Sequence, residues 1–443
     1  MTSHIELVNE ALEIVGDRAD AAVYADVGTS SLTRFANSFI HQNVSEDVAE
    51  VTLRVALDGR VSSSTTTATS LDALRLFVDA TIDTAAQQPV DAEWPGVGGQ
   101  TETVTAEHWD AATAEADPAD RANAVKAFVE AGEGLVSAGF CQTESRGHAY
   151  GNSEGRRVDG RFTTAVIDGI HQSSTSAGSG HAAGTALGSL DAAAIGALAA
   201  ERARNSRDPF DAKPGEYEVV LSPECVATIA VFLDAYGFNA KLAQEGMSFV
   251  DLGTEQFDRS INIWDDATDP RTLFVPFDVE GTPKRRIDLV RGGVPESLLY
   301  DRRTAAKAGV ESTGNAIAGG DVFGPFSVNM FVGGGESAVE DLIASVDRGI
   351  YVSTFNYCRV LDPKTLAVTG LTRNGTFMIE QGKITDAVTN LRFTQSFVDA
   401  LAPGRVAGIG DDARLADSEF GPMFIHAPSM HLASWNFTGG ADG

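Results

Sequence analysis

DPFDAKPGEYEVVLSP (residues 208–223) divides the sequence. Pro209 and Pro214 lack a backbone N–H and push the residues before them toward extended conformations, so DPFDAKPGEYE (208–218) reads as a linker. EYEVVL then forms a run with strand character that Pro223 ends. Upstream, the pattern is helix, strands, helix, helix, strands, helix. Downstream, short strands and glycine turns dominate. The predicted fold is α+β: an N-terminal mixed α/β-sheet domain over residues 1–210, then a mainly β domain over residues 211–443.

Working back from the linker, Asp191 opens an alanine-rich helix that runs to about Asn205. SSTSAGSGHAAG (173–184) reads as a Gly/Ser-rich loop. CQTESRGHAYGNSEGRRVDGRFTTAVID reads as two strands about a turn at 152–155. Asp117-Pro118 starts a helix to about Val136, and Thr69-Ser70 caps one to about Gln88 with Leu71, Leu74, Val78 and Ile82 inward. EVTLRVALDGRVSSS alternates Val51, Leu53, Val55 and Leu57 ahead of an Asp58-Gly59 hairpin turn. AAVYADVG and SLTRFANSFIHQN read as separate strands. Residues 4–16 place Ile5, Val8, Leu12 and Val15 on one helical face.

Working forward, ECVATIAVFLDAYGFNAKLA (224–243) is a helix with Val226, Ile229, Leu233 and Ala240 near one stripe. INIWDD, RIDLV, SVNMFV, GTFMIEQGKI and VTNLRF are short strands. AVEDLIASVDRGIY is a helix that Gly349 closes.

The formal charge is −29, from 62 acidic and 33 basic residues, a field that repels phosphate backbones. Nucleic acid is therefore excluded as a first expectation. The seven lysines are few for this length, and an acidic, lysine-poor surface matches a chain adapted to high salt. Cys141, Cys225 and Cys358 are far apart and form no CxxC, so neither a zinc knuckle nor a disulfide framework is readable. No run of about 18 apolar residues appears and the N-terminus lacks a basic, then apolar, leader. These features predict a cytoplasmic location without membrane contact.

No nucleophile elbow or phosphate-binding glycine motif is present. His4, His41, His108 and His148 are scattered. His171 and His181 flank the Gly/Ser stretch without a third ligand. His426 and His431 straddle Pro428, and chelation would need the proline to fold them together. Asp265-Asp266 and Asp411-Asp412 read as solvated loop carboxylates, since neighbours on a strand point apart.

Several segments resemble the TldD/PmbA family, long called modulators of DNA gyrase and better known as zinc metallopeptidases with partner subunits. They are PGEYEVVLSP (214–223), GMSF (246–249), FDVEGTPKRRIDLVRGGVPESLLYDRRTAAKAG (277–309), STGNA (312–316), LIASVDRGIYVSTF (342–355), DPKTLAVTGLTRNGTFMIEQGKI (362–384) and VTNLRF (388–393). RFANSFIHQN, GNSEG and the Gly/Ser stretch extend the likeness across the N-terminal half.

Active members of that family carry HExxxH in the helix after the strand that ends near Pro223. The matching stretch here is Leu233-Asp234-Ala235-Tyr236-Gly237-Phe238. Leucine and phenylalanine offer no electron pairs to zinc, and Asp234 alone cannot hold it. The family's C-terminal cysteine ligand has no counterpart after Cys358. The resemblance thus implies a TldE/PmbA-like, catalytically silent subunit, with no cofactor of its own and zinc in a TldD-like partner. It also implies a homodimer or heterodimer that degrades or processes peptides, with Ser312, Thr313, Gly314 and Asn315 as candidate peptide-binding residues at the surface. Two alternatives stand beside it. One is an autonomous metallopeptidase with ligands relocated to Asp234, His426 and His431. The other is a non-enzymatic modulator of another protein.

Overall fold

The computed structural model describes residues 3–100 and 108–440. The first sheet has six strands in the spatial order Arg60–Thr66, Phe39–Leu57, Asp20–Ala36, Val136–Asn152, Arg157–Gln172 and Ala177–Gly184. Every neighbouring pair is antiparallel. Where two separate strands were predicted over residues 21–43, one strand runs through Thr29-Ser30 and the chain turns later. Asn37 and Ser38 adopt φ of 51° and 64° and make the hairpin turn inside SLTRFANSFIHQN. Asn tolerates that left-handed conformation. Thr29 and Ser30 instead use their hydroxyls across strands, donating to Asp47 at 3.4 Å and Glu144 at 3.2 Å. The Asp58-Gly59 turn forms as predicted, with φ of 50° and 75°.

Helices cover one face of this sheet. His4–Val15 starts at a capping box made by Ser3 and Glu6 and buries Leu7, Val8, Ala11 and Val15. Leu74 and Val78, from Leu71–Gln87, join them against Val23, Ala25, Val51, Leu53 and Val55. Leu71, predicted inward, lies in the first turn and is exposed. Pro118–Ala131 stops short of the predicted end, because Val136 already belongs to a strand. The Gly/Ser-rich stretch is likewise a strand, not a loop, over Ala177–Gly184. Its glycines admit the helix Ala192–Asn205 against it: a Cβ on Gly178 would lie 2.3 Å from the Ala199 carbonyl oxygen.

The second half contains two further sheets. One orders Val294–Pro295, Ile287–Arg291, Ile263–Asp265, Met330–Val332, Gly421–Ala427 and Arg414–Ser418. In the other, Arg348–Asp362 pairs Gly215–Leu221, which pairs Met430–Gly440, then Leu391–Ser396, then Ala367–Glu380. Ala367–Glu380 pairs back to Arg348–Asp362, so these five strands close into a ring. The predicted helix over AVEDLIASVDRGIY is only Val339–Ala344, and Gly349 lies inside the strand that follows. Gly349 is required there because a Cβ would meet the Glu218 carbonyl oxygen at 2.5 Å. Phe355, Phe393, Phe397 and Trp435 stack as one aromatic cluster within the core.

The halves meet where Tyr150, Val158 and Phe162 of the first sheet pack on Val275 and Phe277. Arg303 reaches Asp91 at 2.5 Å, and Arg302 donates to the Val97 carbonyl at 2.8 Å. A cavity of about 320 Å³ lies at this seam, lined by Tyr24, Arg54, Trp94, Tyr150, Glu280 and Arg302. Among the described residues, no helix is long and apolar enough to cross a membrane.

Candidate functional site

The segment that follows the Pro223 turn was predicted as one helix with a single apolar stripe. It is three pieces. Pro223–Leu233 is buried on every side, a π turn spans Asp234–Phe238, and a short helix Ala240–Gln244 follows. An all-round apolar helix belongs inside a core, which is why one stripe understated it. Gly237 allows the Phe249 ring to close over the turn, since a Cβ would lie 2.2 Å from it. Asn239 then caps the last piece, accepting from the Lys241 N–H at 3.0 Å.

The π turn changes the geometry of positions 233 and 238. On an ideal α-helix, residues five apart point about 140° apart. A π turn closes i→i+5 and brings such residues toward one face. Leu233 and Phe238 accordingly join the same core, at 1% and 0% exposure. Both positions present hydrocarbon. Leu233 lines a void of about 10 Å³ with Val226, Ile229, Ile261, Ile263 and Met430. That space is at or below the size of one water and is apolar throughout. Zinc bonds to nitrogen, sulfur or oxygen at about 2.0–2.3 Å. The residues here do not fit it.

Asp234 stands alone between them as a polar group. Its Oδ2 accepts the Ser327 N–H at 2.9 Å, and no hydrogen bond reaches Oδ1 among the described residues. Burial, aided by the Asp265 carboxylate, pushes its carboxyl well above the usual carboxylate range. That shift favours the protonated acid, whereas a general base must be in its deprotonated form.

Asp265 was read from the sequence as solvated; it is fully buried and forms the hub of a polar network. Its Oδ2 accepts Asn315 Nδ2 at 2.9 Å and faces Lys284 Nζ at 3.8 Å. Its Oδ1 accepts the Ser327 hydroxyl and the Asn329 N–H. Thr313 Oγ1 donates to Asn315 Oδ1 at 2.7 Å. Of the four residues placed at the surface by the sequence reading, Thr313 and Asn315 are therefore buried and spent on internal bonds. Gly314 takes φ of 78° with Pro283 close by, and the Ser312 hydroxyl donates to the Tyr300 carbonyl at 3.0 Å. The tetrapeptide pins one loop to another. The sequence signal for this hub was Lys284, one of few lysines, in a segment otherwise rich in turns.

The histidines do not assemble either. His431 uses Nδ1 on Ser345 and Nε2 on Glu218, both at 3.1 Å. His426 lies on a strand of a different sheet, against the Phe331 ring. Burial lowers its pKa to about 4. His171 spends both ring nitrogens on Ser137 and the Phe128 carbonyl. His181 pairs with Asp168 at 3.1 Å. Among the described residues, no group of three His, Cys, Asp or Glu side chains is placed to hold a metal ion.

A family model described as "PmbA/TldA metallopeptidase C-terminal domain" matches residues 214–439, half of the chain. The chain belongs to the PmbA/TldD family. A metalloprotease of Methanothermobacter thermautotrophicus is 27% identical over 204 residues, covering 45% of this chain and 44% of that protein. A TldD metalloprotease homologue of Buchnera aphidicola from Acyrthosiphon pisum is 25% identical over 242 residues, covering 52% and 49%. The chain thus matches about half the length of these relatives. In fold, it is similar to the crystal structure of TldE from Thermococcus kodakarensis. The TM-score is 0.88 at 16% identity, over 98% of this chain and 99% of that one.

Proposed function

We propose that this PmbA/TldD-family chain is a non-catalytic, TldE/PmbA-like subunit that works with a zinc-bearing relative on peptides. The observation that carries this reading is the pair Leu233 and Phe238. They stand at the two positions where the family's motif has histidine, and they are packed carbon. In the relative, zinc would activate water for attack on a peptide carbonyl. This chain's residues would hold the assembly and wall the path to that site. Its seam cavity presents Trp94, Arg54 and Glu280, a surface that suits a charged or polar peptide group.

The test is reconstitution. Purified chain mixed with a TldD-like metalloprotease should co-elute with it and raise its peptidase activity, while the chain alone holds no stoichiometric zinc. Separate elution without a gain in activity would refute the partnership. Stoichiometric zinc in the isolated chain would refute the silent site.

A further inference from the structure

An open groove of about 720 Å³ runs between the loop at Thr282–Arg285 and the helix Arg302–Ala308. Its charged lining is Arg156, Lys284, Arg285, Arg302 and Glu311, an excess of cations in a chain of 62 acidic and 33 basic residues. Lys284 is turned inward to Asp265. The three arginines form no ion pair among the described residues and donate to backbone carbonyls instead. Arg156 Nε reaches Gly99 at 2.8 Å and its Nη1 reaches Gly281 at 3.1 Å. Arg302 reaches Val97 at 2.8 Å and Gly96 at 3.1 Å, with Pro95 at 3.4 Å. Arg285 Nη1 reaches Ser312 at 3.3 Å. A carbonyl fixes the direction of a guanidinium without neutralising its charge. The carboxylates whose charge Arg156 feels are Asp278 and Glu280. Asp278 accepts from the backbone N–H groups of Glu280, Thr282 and Ala316, and Glu280 is taken by Arg54 and the Arg302 N–H. Glu311 is exposed. Arg156 is 6% exposed, and burial, with repulsion from Arg302, lowers its pKa. A buried cation without a counter-charge is costly, and an anion beside it offsets that cost.

We propose that this groove binds a small oxyanion, the carboxylate or phosphate group of a low-molecular-weight ligand, clamped by Arg156, Arg285 and Arg302. A guanidinium presents N–H donors in a fork that matches two oxygens of either group. Arg156 and Arg285 both keep N–H donors unspent after the carbonyl bonds. The arginines come from both halves of the chain, so the site exists only once the seam has closed. The net charge of −29 repels long polyanions, which restricts the ligand to a single anionic group. The site needs neither zinc nor a second subunit, so the inference does not depend on the peptidase reading.

The test is calorimetric titration of the full chain, alone and at fixed ionic strength. The probes are inorganic phosphate, a short peptide with a free C-terminal carboxylate, and the same peptide as its C-terminal amide. Phosphate or the free-acid peptide should bind saturably, and whichever binds identifies the source of the oxyanion; the amide should not bind. Arg285 is exposed and makes one backbone contact, so Arg285→Ala should keep its melting temperature and weaken binding roughly tenfold. Arg285→Lys should recover part of the loss, because it restores the charge and not the fork. Arg259→Ala removes an exposed arginine already paired with Glu255 and should leave binding unchanged. The proposal is overturned if neither phosphate nor the free-acid peptide binds saturably, or if the amide binds as tightly as the acid. It is also overturned if Arg285→Ala binds like the parent, or if Arg259→Ala weakens binding as much as Arg285→Ala does.

Discussion

Replacing Asp234 by asparagine tests the buried acid directly. In the folded chain burial raises this carboxyl well above its ordinary value, so the native state keeps the proton that the unfolded state releases. The sign follows from linkage. Above about pH 3.9, the unfolded chain binds fewer protons at this position, and stability falls as pH rises until the folded group also ionises. The loss amounts to about 1.4 kcal/mol for each pH unit in that window. The substituted amide would keep an acceptor for the Ser327 N–H, now bonded at 2.9 Å, and would carry no proton to release. The difference in stability between Asp234→Asn and the parent should therefore grow in favour of the variant by about 1.4 kcal/mol per unit above the unfolded value, and level off where the folded group ionises. Urea unfolding at about pH 4, 5, 6 and 7 in constant high salt measures it, with the parent and variant compared at each pH. Parallel curves would refute the reasoning. They would mean that Asp234 ionises alike in both states, with water or a cation reaching Oδ1.

Phe238→Ala should cost about 3–5 kcal/mol in the same assay, since a fully buried ring is removed beside an already dry core. Arg414→Ala removes the guanidinium that meets the buried Glu224 carboxylate at 2.8 Å, leaving Arg202 as its nearby arginine; a loss of about 3 kcal/mol near pH 7 is expected. Burial alone would raise Glu224, yet the two arginines hold it at about 2. Its stabilising contribution should be full above the unfolded value and fade as pH drops from about 4.5 toward 2, and the Arg414→Ala protein should show a shallower acid transition.

The α+β class was legible because strand alternation at Val51, Leu53 and Val55, and caps at Ser70 and Asp117, are local signals. Where the reading failed, a distant group decided the outcome. Ala177–Gly184 looked like a loop because glycine has low strand propensity; the approach of the Ala192–Asn205 backbone makes glycine necessary there. Residues 224–243 seemed one helix because α-helical spacing was assumed, whereas a π turn at Asp234–Phe238 interrupts it, with the Phe249 ring over Gly237 and Asn239 capping the next piece. Asp265 seemed solvated because its partners Asn315 and Ser327 come 50 and 62 residues later. The loss of metal donors at 233 and 238 needed no fold at all, since it is a matter of side-chain chemistry.

The hub around Asp265 has a consequence for how the chain folds. Asp234 and Ser327 are 93 residues apart, and Asn315 and Lys284 must also arrive before any member has its full set of partners. Contacts of such long separation form late, after the entropy of closing each loop has been overcome. On a ribosome, the helix at 223–233 would wait with a half-buried acid until the segment near Ser327 emerges. Shortening or rewiring the loops between these points would therefore slow the last stage of folding more than it would weaken the finished protein.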